Sequence, residues 1–254
     1  MRNLLRLAIL AVLALFTVPS VDSTLLAQAA PLPDAKEIIA KFVDAIGGEK
    51  ALTALKSIKA TGTFEIVGAG ISGTAEIVSA RPNKQRQHAE VPGLGSVDEG
   101  FDGTVGWSID PMSGPSVAKD RLLQQMKDDS EFDSSLHKPN FVKSMTTMEK
   151  TEFDGHAAYK VKVVLVSGME RVEFFDVQSG FQIGTEEDRE SAMGTTHAVT
   201  TIRDYKKFGA LMQPTFLSSN LMGADQVIHI ATFEYDAVPA EAFALPPQIK
   251  ALIK

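Results

Sequence analysis

The chain has 254 residues, a formal net charge of −7 and no cysteine. The acidic balance argues against nucleic acid as a partner, because phosphates require a basic surface, and against electrostatic docking to an anionic membrane face. Without cysteine the chain cannot be acylated as a bacterial lipoprotein. It can also form no disulfide, so its stability has to come from a buried core.

Residues 1–29 are predicted to be a cleaved signal peptide. Two arginines precede an unbroken apolar run over residues 7–18, and residues 27–29, Ala-Gln-Ala, offer the small side chains that a signal peptidase reads. The run is shorter than the roughly 20 residues of a spanning helix, so we expect cleavage after Ala29, a periplasmic location and a mature protein that does not span the membrane. Removing the leader's two arginines and one aspartate leaves 23 basic and 31 acidic residues, a net charge of −8. Residues 30–254 are expected to form a single domain.

The N terminus of the mature protein has the pattern of an amphipathic helix. Apolar residues recur at helical spacing before a Gly-Gly pair that ends the helix, namely Ile38, Ile39, Phe42, Val43 and Ile46. Leu52 and Leu55 continue the apolar stripe in a second, short predicted helix. Such a stripe needs an apolar surface to cover.

From Ile58 onward the hydrophobic pattern has a period of two, which is typical of β-strands. About a dozen such segments follow, joined by short turns, and one helical patch with Val117, Leu122 and Met126 interrupts them. Strands joined by tight turns pair antiparallel, and a long twisted meander must curl, so that one face becomes concave. The pattern predicts a mainly β fold with some α: an open or nearly closed antiparallel β-barrel whose concave face is plugged by the helices.

A turn motif occurs twice. In "FDGTVGW" and "FDGHAAY", Asp102-Gly103 and Asp154-Gly155 suit the positive backbone angles of a two-residue hairpin turn, and an aromatic residue, Trp107 or Tyr159, falls in the following strand. A turn used twice indicates backbone geometry rather than catalysis.

The sequence predicts no catalytic residue, no metal site and no cofactor. The five histidines lack metal-ligand spacing, and we expect His197 and His229, which alternate with apolar residues, to face the core with a hydrogen-bond partner. There is no cysteine nucleophile or Gly-x-Ser-x-Gly elbow, and no motif supports a Ser/His/Asp triad from distant strands. The segment "GAGISG" at 68–73 joins two strands, which disfavours a phosphate loop. An enzyme is therefore the least favoured class.

Methionines are frequent around the helical patch. Four of the eight that follow the leader lie close to it, namely Met112, Met126, Met145 and Met148. Methionine suits surfaces that accept varied apolar shapes, so with Trp107, Ile109 and Phe141 they are candidates for the lining of an acyl-chain cavity. Ordinary core packing explains any single one of them equally well.

The stretches "GGEKALTALKSI", "RPNKQRQHAEVPG", "FDGTVGWSIDPMSG", "RDYKKFGALMQPTFLSS" and "VIHIATFEYDAVPAEAFALP" together resemble the periplasmic LolA-like family. This family comprises outer-membrane lipoprotein-sorting proteins and uncharacterised relatives, and the resemblance covers essentially the whole mature chain. It implies an unclosed β-barrel of about eleven strands, helices as a lid, and a hydrophobic cavity for lipid or lipoprotein acyl chains. Carriers of this family hold the lid with a cavity arginine, and the sequence does not match that residue to Arg81, Arg86, Arg121 or any other position.

The favoured hypothesis is a binder or carrier of acyl chains, since each methylene removed from water contributes about 0.8 kcal/mol. On the assumption that the apolar strand faces are the concave ones, the expected lining is Phe64, Ile66, Ile77, Trp107, Ile109, Met126, Tyr159, Val161 and Val163. The expected lid residues are Ile39, Phe42 and Ile46. The alternative is an envelope sensor or interaction module that uses the same cavity, or the acidic rim, for a protein partner.

Overall fold

The computed structural model describes residues 31–253 except 192–193 and 222. The predicted signal peptide, residues 1–29, lies outside the described residues. The α-helices are α1 (Ala35–Ala45), α2 (Glu49–Ala54), α3 (Asp120–Asp129) and α4 (Pro247–Lys250), and two 3₁₀ helices span Ser134–Leu136 and Ala240–Phe243. The strands are β1 (Ser57–Ile66), β2 (Ile71–Ala80), β3 (Lys84–Val91), β4 (Gly95–Phe101), β5 (Gly106–Asp110), β6 (Gly114–Val117), β7 (Val142–Phe153), β8 (His156–Leu165), β9 (Glu170–Asp176), β10 (Gln182–Ser191), β11 (Gly194–Phe208), β12 (Leu211–Leu221) and β13 (Ala224–Tyr235).

All thirteen strands belong to one antiparallel sheet with the order β6-β5-β4-β3-β2-β1-β13-β12-β11-β10-β9-β8-β7. Two meanders, β1–β6 and β7–β13, are joined where the first strand pairs with the last, with Phe64 opposite Ile228. The edge strands β6 and β7 do not pair with each other, so the barrel is unclosed. The predicted mainly β fold with an unclosed barrel is confirmed, with thirteen strands in place of about eleven.

The predicted N-terminal helix is present as α1. Asp34 caps it by accepting a hydrogen bond from the backbone N–H of Lys36 at 2.8 Å, and it ends before Gly47, which has a φ of +127°. Its buried face consists of Ala35, Ile38, Ile39 and Phe42. The apolar stripe therefore covers the sheet, as its spacing predicts.

The helical patch is shorter than predicted. Val117 belongs to strand β6, and α3 begins only at Asp120. A β5–β6 hairpin leaves this valine opposite Trp107, so strand pairing overrides the helix-like spacing of the local sequence.

The two Asp-Gly motifs form different turns. Asp154 (φ 52°) and Gly155 (φ 77°) make the predicted two-residue turn between β7 and β8. Asp102-Gly103 lies instead in a four-residue loop, residues 102–105, because the Asp102 carboxylate accepts hydrogen bonds from the backbone N–H groups of Thr104 and Val105, both at 2.8 Å.

The expectation for two histidines is wrong. His197 and His229 are exposed. His197 lies 3.1 Å from the Asp188 carboxylate, and His229 packs edge-on against the ring of Phe216, with ring centroids 5.2 Å apart. Both alternate with apolar neighbours as predicted, but they point away from the helices, to a face of the sheet that is open to solvent at these positions.

Candidate functional site

One face of the sheet is covered by helices, and we call it the inner face. Helix α1 packs on Val161 and Val163, and α3 approaches so closely that a Cβ on Gly106 would lie 2.8 Å from the sulphur of Met126. Because directly opposed residues point to the same side, the pairing register assigns every strand residue to this face or to the other, outer face.

Six of the predicted lining residues lie on the inner face. Ile77 is opposite Ala60 of β1. From Phe64, which lies on the same side of β1, the pairing can be followed through β13, β12, β11, β10 and β9 to Val161 in β8. The six residues are Phe64, Ile66, Ile77, Tyr159, Val161 and Val163. The assumption that their strand faces are the covered ones holds for these positions.

Trp107 and Ile109 lie on the outer face, contrary to the predicted placement. Ile77 is opposite Gln87, Gln87 opposite Glu99, and Glu99 opposite Ser108, so the two neighbours of Ser108 point the other way. Alternation within β5 groups Trp107 with Ile109 correctly, but it carries no information about which side faces the helices.

Trp107 is almost completely buried. A Cβ on Gly100 would lie 3.0 Å from the Trp107 ring, and only 2 % of Trp107 is exposed. The C-terminal segment lies alongside, with α4 against β6 and the 3₁₀ helix Ala240–Phe243 against β3, and it buries Ile249 completely. Trp107 therefore offers a ligand almost no surface.

The predicted lid and part of the predicted lining form a single packed core. Ile39, Phe42 and Ile46 of α1 belong to the same buried cluster as Val161 and Val163, and Tyr159 packs against it. The Phe42 ring centroid is 5.4 Å from that of Phe175, and both valines are fully buried. In this conformation the predicted lid residues are packed in one core with these strand residues.

An apolar cavity of about 220 Å³ lies beside this core, at the end of the barrel that carries α1 and α2. Phe42 and Ile46 reach it from α1, Leu52 and Leu55 from the α2 region, and Met212 from β12. Further apolar lining comes from Ile58, Phe132, Leu136, Ile202, Tyr205 and Pro214. Asp133, Ser135, Gln182 and Gln213 add polar groups to the lining, and a short apolar group can be held between the helices and the inner face.

Arg81 ties the edges of this cavity together. Its guanidinium donates a hydrogen bond to the carbonyl oxygen of Leu52 at 3.1 Å, forms an ion pair with Asp133, and lies 4.7 Å from the ring centroid of Phe132. The side chain thus joins the C-terminal end of α2 to the segment that precedes the first 3₁₀ helix.

A second, larger cavity of about 470 Å³ lies between α3 and the inner face, and its lining is mixed, with the apolar residues Phe101, Trp107, Leu122 and Ile228 beside polar groups. Met126 lines it together with amide, hydroxyl and charged groups from β3, β4, α3, β10 and β13, which include Gln85, Gln87, Glu99, Gln125, Arg189 and Gln226. Burial raises the pKa of Glu99 above its ordinary value. Met126 therefore lines this cavity and not the one beside α1 and α2.

The predicted methionine group is not gathered at one site. Met126 lines the polar cavity, Met145 packs against the α1 core, and Met112 and Met148 are exposed. Although the four methionines lie close together in sequence, they have different surroundings in the fold and do not form a shared cavity wall.

A buried ionic cluster crosses the inner face between the two cavities. The carboxylate of Glu173, fully buried, lies 2.7 Å from His137 Nε2 and accepts a hydrogen bond from Arg171 Nε at 2.6 Å. Burial opposes ionisation of this carboxyl group, but Arg171 and His137 outweigh it and lower the pKa of Glu173 to about 2. Next to it, Arg189 pairs with Asp129 of α3 at 2.7 Å.

Sequence reasoning missed this cluster and much of the apolar lining. Alternation in "ERVEFFD" favours Val172 and Phe174 as the inward residues, yet Arg171, Glu173 and Phe175 face the helices. The burial of Glu173 depends on its partner His137, which is 36 residues away in sequence. The residues next to Glu173 therefore give no sign of it.

No group of three or more His, Asp or Glu side chains in the described part of the chain is arranged to hold a metal ion. None of the helices within 31–253 has the length and apolar character needed to cross a bilayer.

Comparison with solved structures identifies the fold. A LolA superfamily protein from Nitrosomonas europaea superposes with a TM-score of 0.57 at 12% identity, covering 84% of this chain and 99% of that one. An outer membrane lipoprotein-sorting protein domain from Vibrio parahaemolyticus gives 0.54 at 10% identity, over 82% and 95% of the chains. A DUF1329 family protein from Desulfovibrio piger gives 0.56 at 9% identity, over 84% and 97%.

The chain therefore has the fold of LolA superfamily proteins, as the resemblance in sequence indicates. No family model matches the sequence, and no curated protein matches it either. The likeness is one of architecture, because the identities of 9–12% leave the side chains of the cavities specific to this chain.

Proposed function

We propose that the protein is exported to the periplasm, loses residues 1–29, and binds acyl chains of lipids or lipoproteins between its N-terminal helices and the inner face of the barrel. The observation that carries this proposal is the apolar cavity, whose walls come from α1, the α2 region and β11–β12. Apolar burial supplies the affinity without a charged anchor.

The size of the cavity requires α1 to move when a chain binds. Ligand sites usually enclose about 300–1,000 Å³, and this cavity has about 220 Å³. It holds one segment of an acyl chain, and the remainder has to displace the residues of α1 that now pack on Val161 and Val163.

The energies of opening and binding are of similar size. Exposing four buried side chains of α1, Ile38, Ile39, Phe42 and Ile46, costs about 6–12 kcal/mol, at about 1.5–3 kcal/mol each. A chain of fourteen methylenes gains about 11 kcal/mol on burial. A long acyl chain can therefore offset the opening, whereas a short one cannot, and affinity is expected to rise steeply with chain length.

The test is a calorimetric titration with palmitate and with octanoate. Wild type is expected to bind palmitate and not octanoate. Leu55→Trp, which fills the apolar cavity, is expected to weaken palmitate binding about tenfold or more, because the volume for several methylenes is lost. Ile109→Trp adds the same bulk on the outer face and is the matched control.

Native mass spectrometry of protein purified from the periplasm complements the titration by showing which lipids co-purify. Equal palmitate affinity of Leu55→Trp and wild type, with both folded by circular dichroism, contradicts the cavity assignment. No binding of either acid by wild type favours the alternative, an interaction or sensor module of the same fold.

A further inference from the structure

The cavity of about 470 Å³ between α3 and the inner face, which we call the α3 cavity, has the size of a small-molecule site. Such sites usually enclose about 300–1,000 Å³. Among the described residues it shares no lining residue with the cavity that is proposed to bind acyl chains. Its walls carry both polar and apolar side chains, which include Gln85, Gln87, Glu99, Leu122, Gln226 and Ile228.

The carboxyl group of Glu99 has no ion-pair partner among the described residues. The other carboxylates of the α3 cavity do have one, since Asp129 pairs with Arg189 at 2.7 Å and Glu190 pairs with Arg121, also at 2.7 Å. Within the described part of the chain Glu99 also accepts no hydrogen bond. When it is ionised, the cavity therefore holds one negative charge without a close counter-charge.

The surroundings of Glu99 oppose this charge. Its side chain is accessible within the cavity, but the cavity walls replace part of its hydration shell. Burial raises the pKa of Glu99, and of the two nearest charges Arg189 lowers this pKa while Asp129 raises it. A cation bound beside the carboxyl group would favour its ionised form.

Side-chain amides next to Glu99 can accept hydrogen bonds from such a cation. Gln87 lies directly opposite Glu99 in the β3–β4 pair, which places their Cβ atoms about 5 Å apart. The side chains of Gln85, Gln87 and Gln226 form no hydrogen bond with any described residue. An ammonium group has three N–H donors, and the carboxylate and the amide oxygens supply acceptors for all of them.

Helix α3 is fixed above the sheet by polar contacts. Gln125 Oε1 accepts a hydrogen bond from the backbone N–H of Glu190 at 2.8 Å, and the Arg189 guanidinium donates to the Asp129 carboxylate at 2.7 Å. Both contacts join α3 to β10. A cavity whose walls are already held in place loses little free energy in ordering them when a ligand binds.

We infer that the α3 cavity binds a small organic monocation, a primary amine with an apolar chain, whose ammonium group lies at Glu99. The apolar chain lies against Leu122 and Ile228. This proposal goes beyond the proposed function and does not depend on acyl-chain binding in the other cavity.

The ligand is expected to carry no anionic group. Arg189, the one cationic side chain in the described lining of the α3 cavity, is already engaged by Asp129 and by Glu187, at 2.7 and 3.0 Å. A phosphate or carboxylate on the ligand would meet no free counter-charge. A free amine is therefore favoured over the ethanolamine headgroup of a lipid, which carries a phosphate beside its ammonium group.

The first test compares ligands by calorimetric titration at about pH 8, where an alkylamine is still protonated. Hexylamine is expected to bind about tenfold or more tightly than hexan-1-ol, because a hydrogen bond to a charged group contributes more than a neutral one. Trimethylhexylammonium, which keeps the charge but has no N–H group, is expected to bind about tenfold more weakly than hexylamine. Phosphoethanolamine is expected not to bind.

The second test removes the charge from the cavity. Glu99→Gln keeps the size of the side chain and is expected to lower the affinity for hexylamine about tenfold or more. Glu65→Gln is the matched control, because Glu65 is exposed on the outer face of β1 and its loss is expected to leave the affinity unchanged. Circular dichroism verifies that both variants are folded.

Equal affinity of wild type and Glu99→Gln for hexylamine overturns the proposal, and so does equal binding of hexylamine and hexan-1-ol. Binding of trimethylhexylammonium or phosphoethanolamine as tight as that of hexylamine overturns the assignment of a primary amine without an anionic group. Glu99→Gln is expected to bind palmitate like wild type, and Leu55→Trp is expected to bind hexylamine like wild type. Failure of this proposal is thus distinguishable from failure of the acyl-chain proposal.

Discussion

At the scale of single residues, the buried carboxylate of Glu173 has the largest consequence for stability. It is held by His137, whose Nδ1 also lies 3.0 Å from the carbonyl oxygen of Ser135, and by Arg171, which lies over the Phe141 ring at 5.8 Å. Both ring nitrogens of His137 thus face acceptors. The Arg171 cation and the contact with His137 compensate a charge that would otherwise be costly to bury.

Glu173→Gln is expected to lower the free energy of unfolding by about 3–5 kcal/mol at pH 7, because the buried Arg171 loses its counter-charge. The pKa of Glu173 is lowered to about 2 from 4.5. Its contribution is therefore present above pH 4.5 and is lost as the pH falls towards 2, by about 3 kcal/mol in all. The stability gap between wild type and the variant should narrow over that range.

Urea unfolding followed by the fluorescence of buried Trp107 at pH 7 and pH 3 measures this gap. Glu152→Gln, at an exposed position of β7, is the control and should change neither value. A gap that is the same at both pH values would show that the carboxylate is not the titrating group.

At the scale of elements, α1 is fixed by polar contacts in its middle and at its C-terminal end as well as along its apolar face. Lys41 Nζ donates to the carbonyl oxygens of Val177 and Gln178 at 2.6 and 3.0 Å, and the backbone N–H of Met212 donates to the carbonyl oxygen of Ile46 at 3.1 Å. The helix then turns at Gly47-Gly48. Any opening of the lid has to break these polar contacts and change the backbone at the glycine pair.

The two glycines should respond differently to alanine. A Cβ at position 47 would lie 2.7 Å from the carbonyl oxygen of Ala210, whereas at position 48 nothing lies within 4 Å. Both have positive φ, 127° and 86°, which costs a residue with a side chain about 1–2 kcal/mol. Gly47→Ala should cost about 1–3 kcal/mol more than Gly48→Ala, because it also overpacks the contact with β12.

Thermal or urea unfolding of the two variants side by side provides the measurement. Equal destabilisation would mean that the contact between the end of α1 and β12 can accommodate an added methyl group at little cost in free energy. In that case the lid opens by movement at this junction.

At the scale of the whole molecule, the two ends of the barrel have different character. The α1 end contains the cavity of about 220 Å³ and connections with Arg81, Asp102 and Asp154, whereas Leu94 and Met112 are exposed at the opposite end. Between these ends the two meanders of the sheet join through β1 and β13, which lie far apart in sequence.

The exported protein is expected to begin at Ala30. Small side chains at Ala27 and Ala29 favour cleavage there, whereas cleavage one residue later would leave Pro31 at the new N terminus. The intact mass of protein recovered from the periplasm tests this, with Ala29→Arg as a variant that should accumulate uncleaved. An intact mass that includes residues 1–29 in wild type would contradict export with cleavage.

The sequence by itself determined the features that depend on neighbours along the chain. The α1 stripe, the period-two strands and the Asp154-Gly155 turn are each specified by side-chain spacing or by a local backbone preference, and all are present. The resemblance to LolA-like proteins also indicated the open barrel, because the order of helices and turns was sufficient to recognise it.

Only the tertiary structure decided which side of each strand faces the helices. Alternation groups Trp107 with Ile109, but the register across β2, β3 and β4 places both on the outer face. The charges at Arg171 and Glu173 are buried because His137 arrives from a distant segment. The side of the sheet on which a residue lies, and whether it is buried, depend on its contacts with residues far apart in sequence. A pattern of period two contains no information about those contacts.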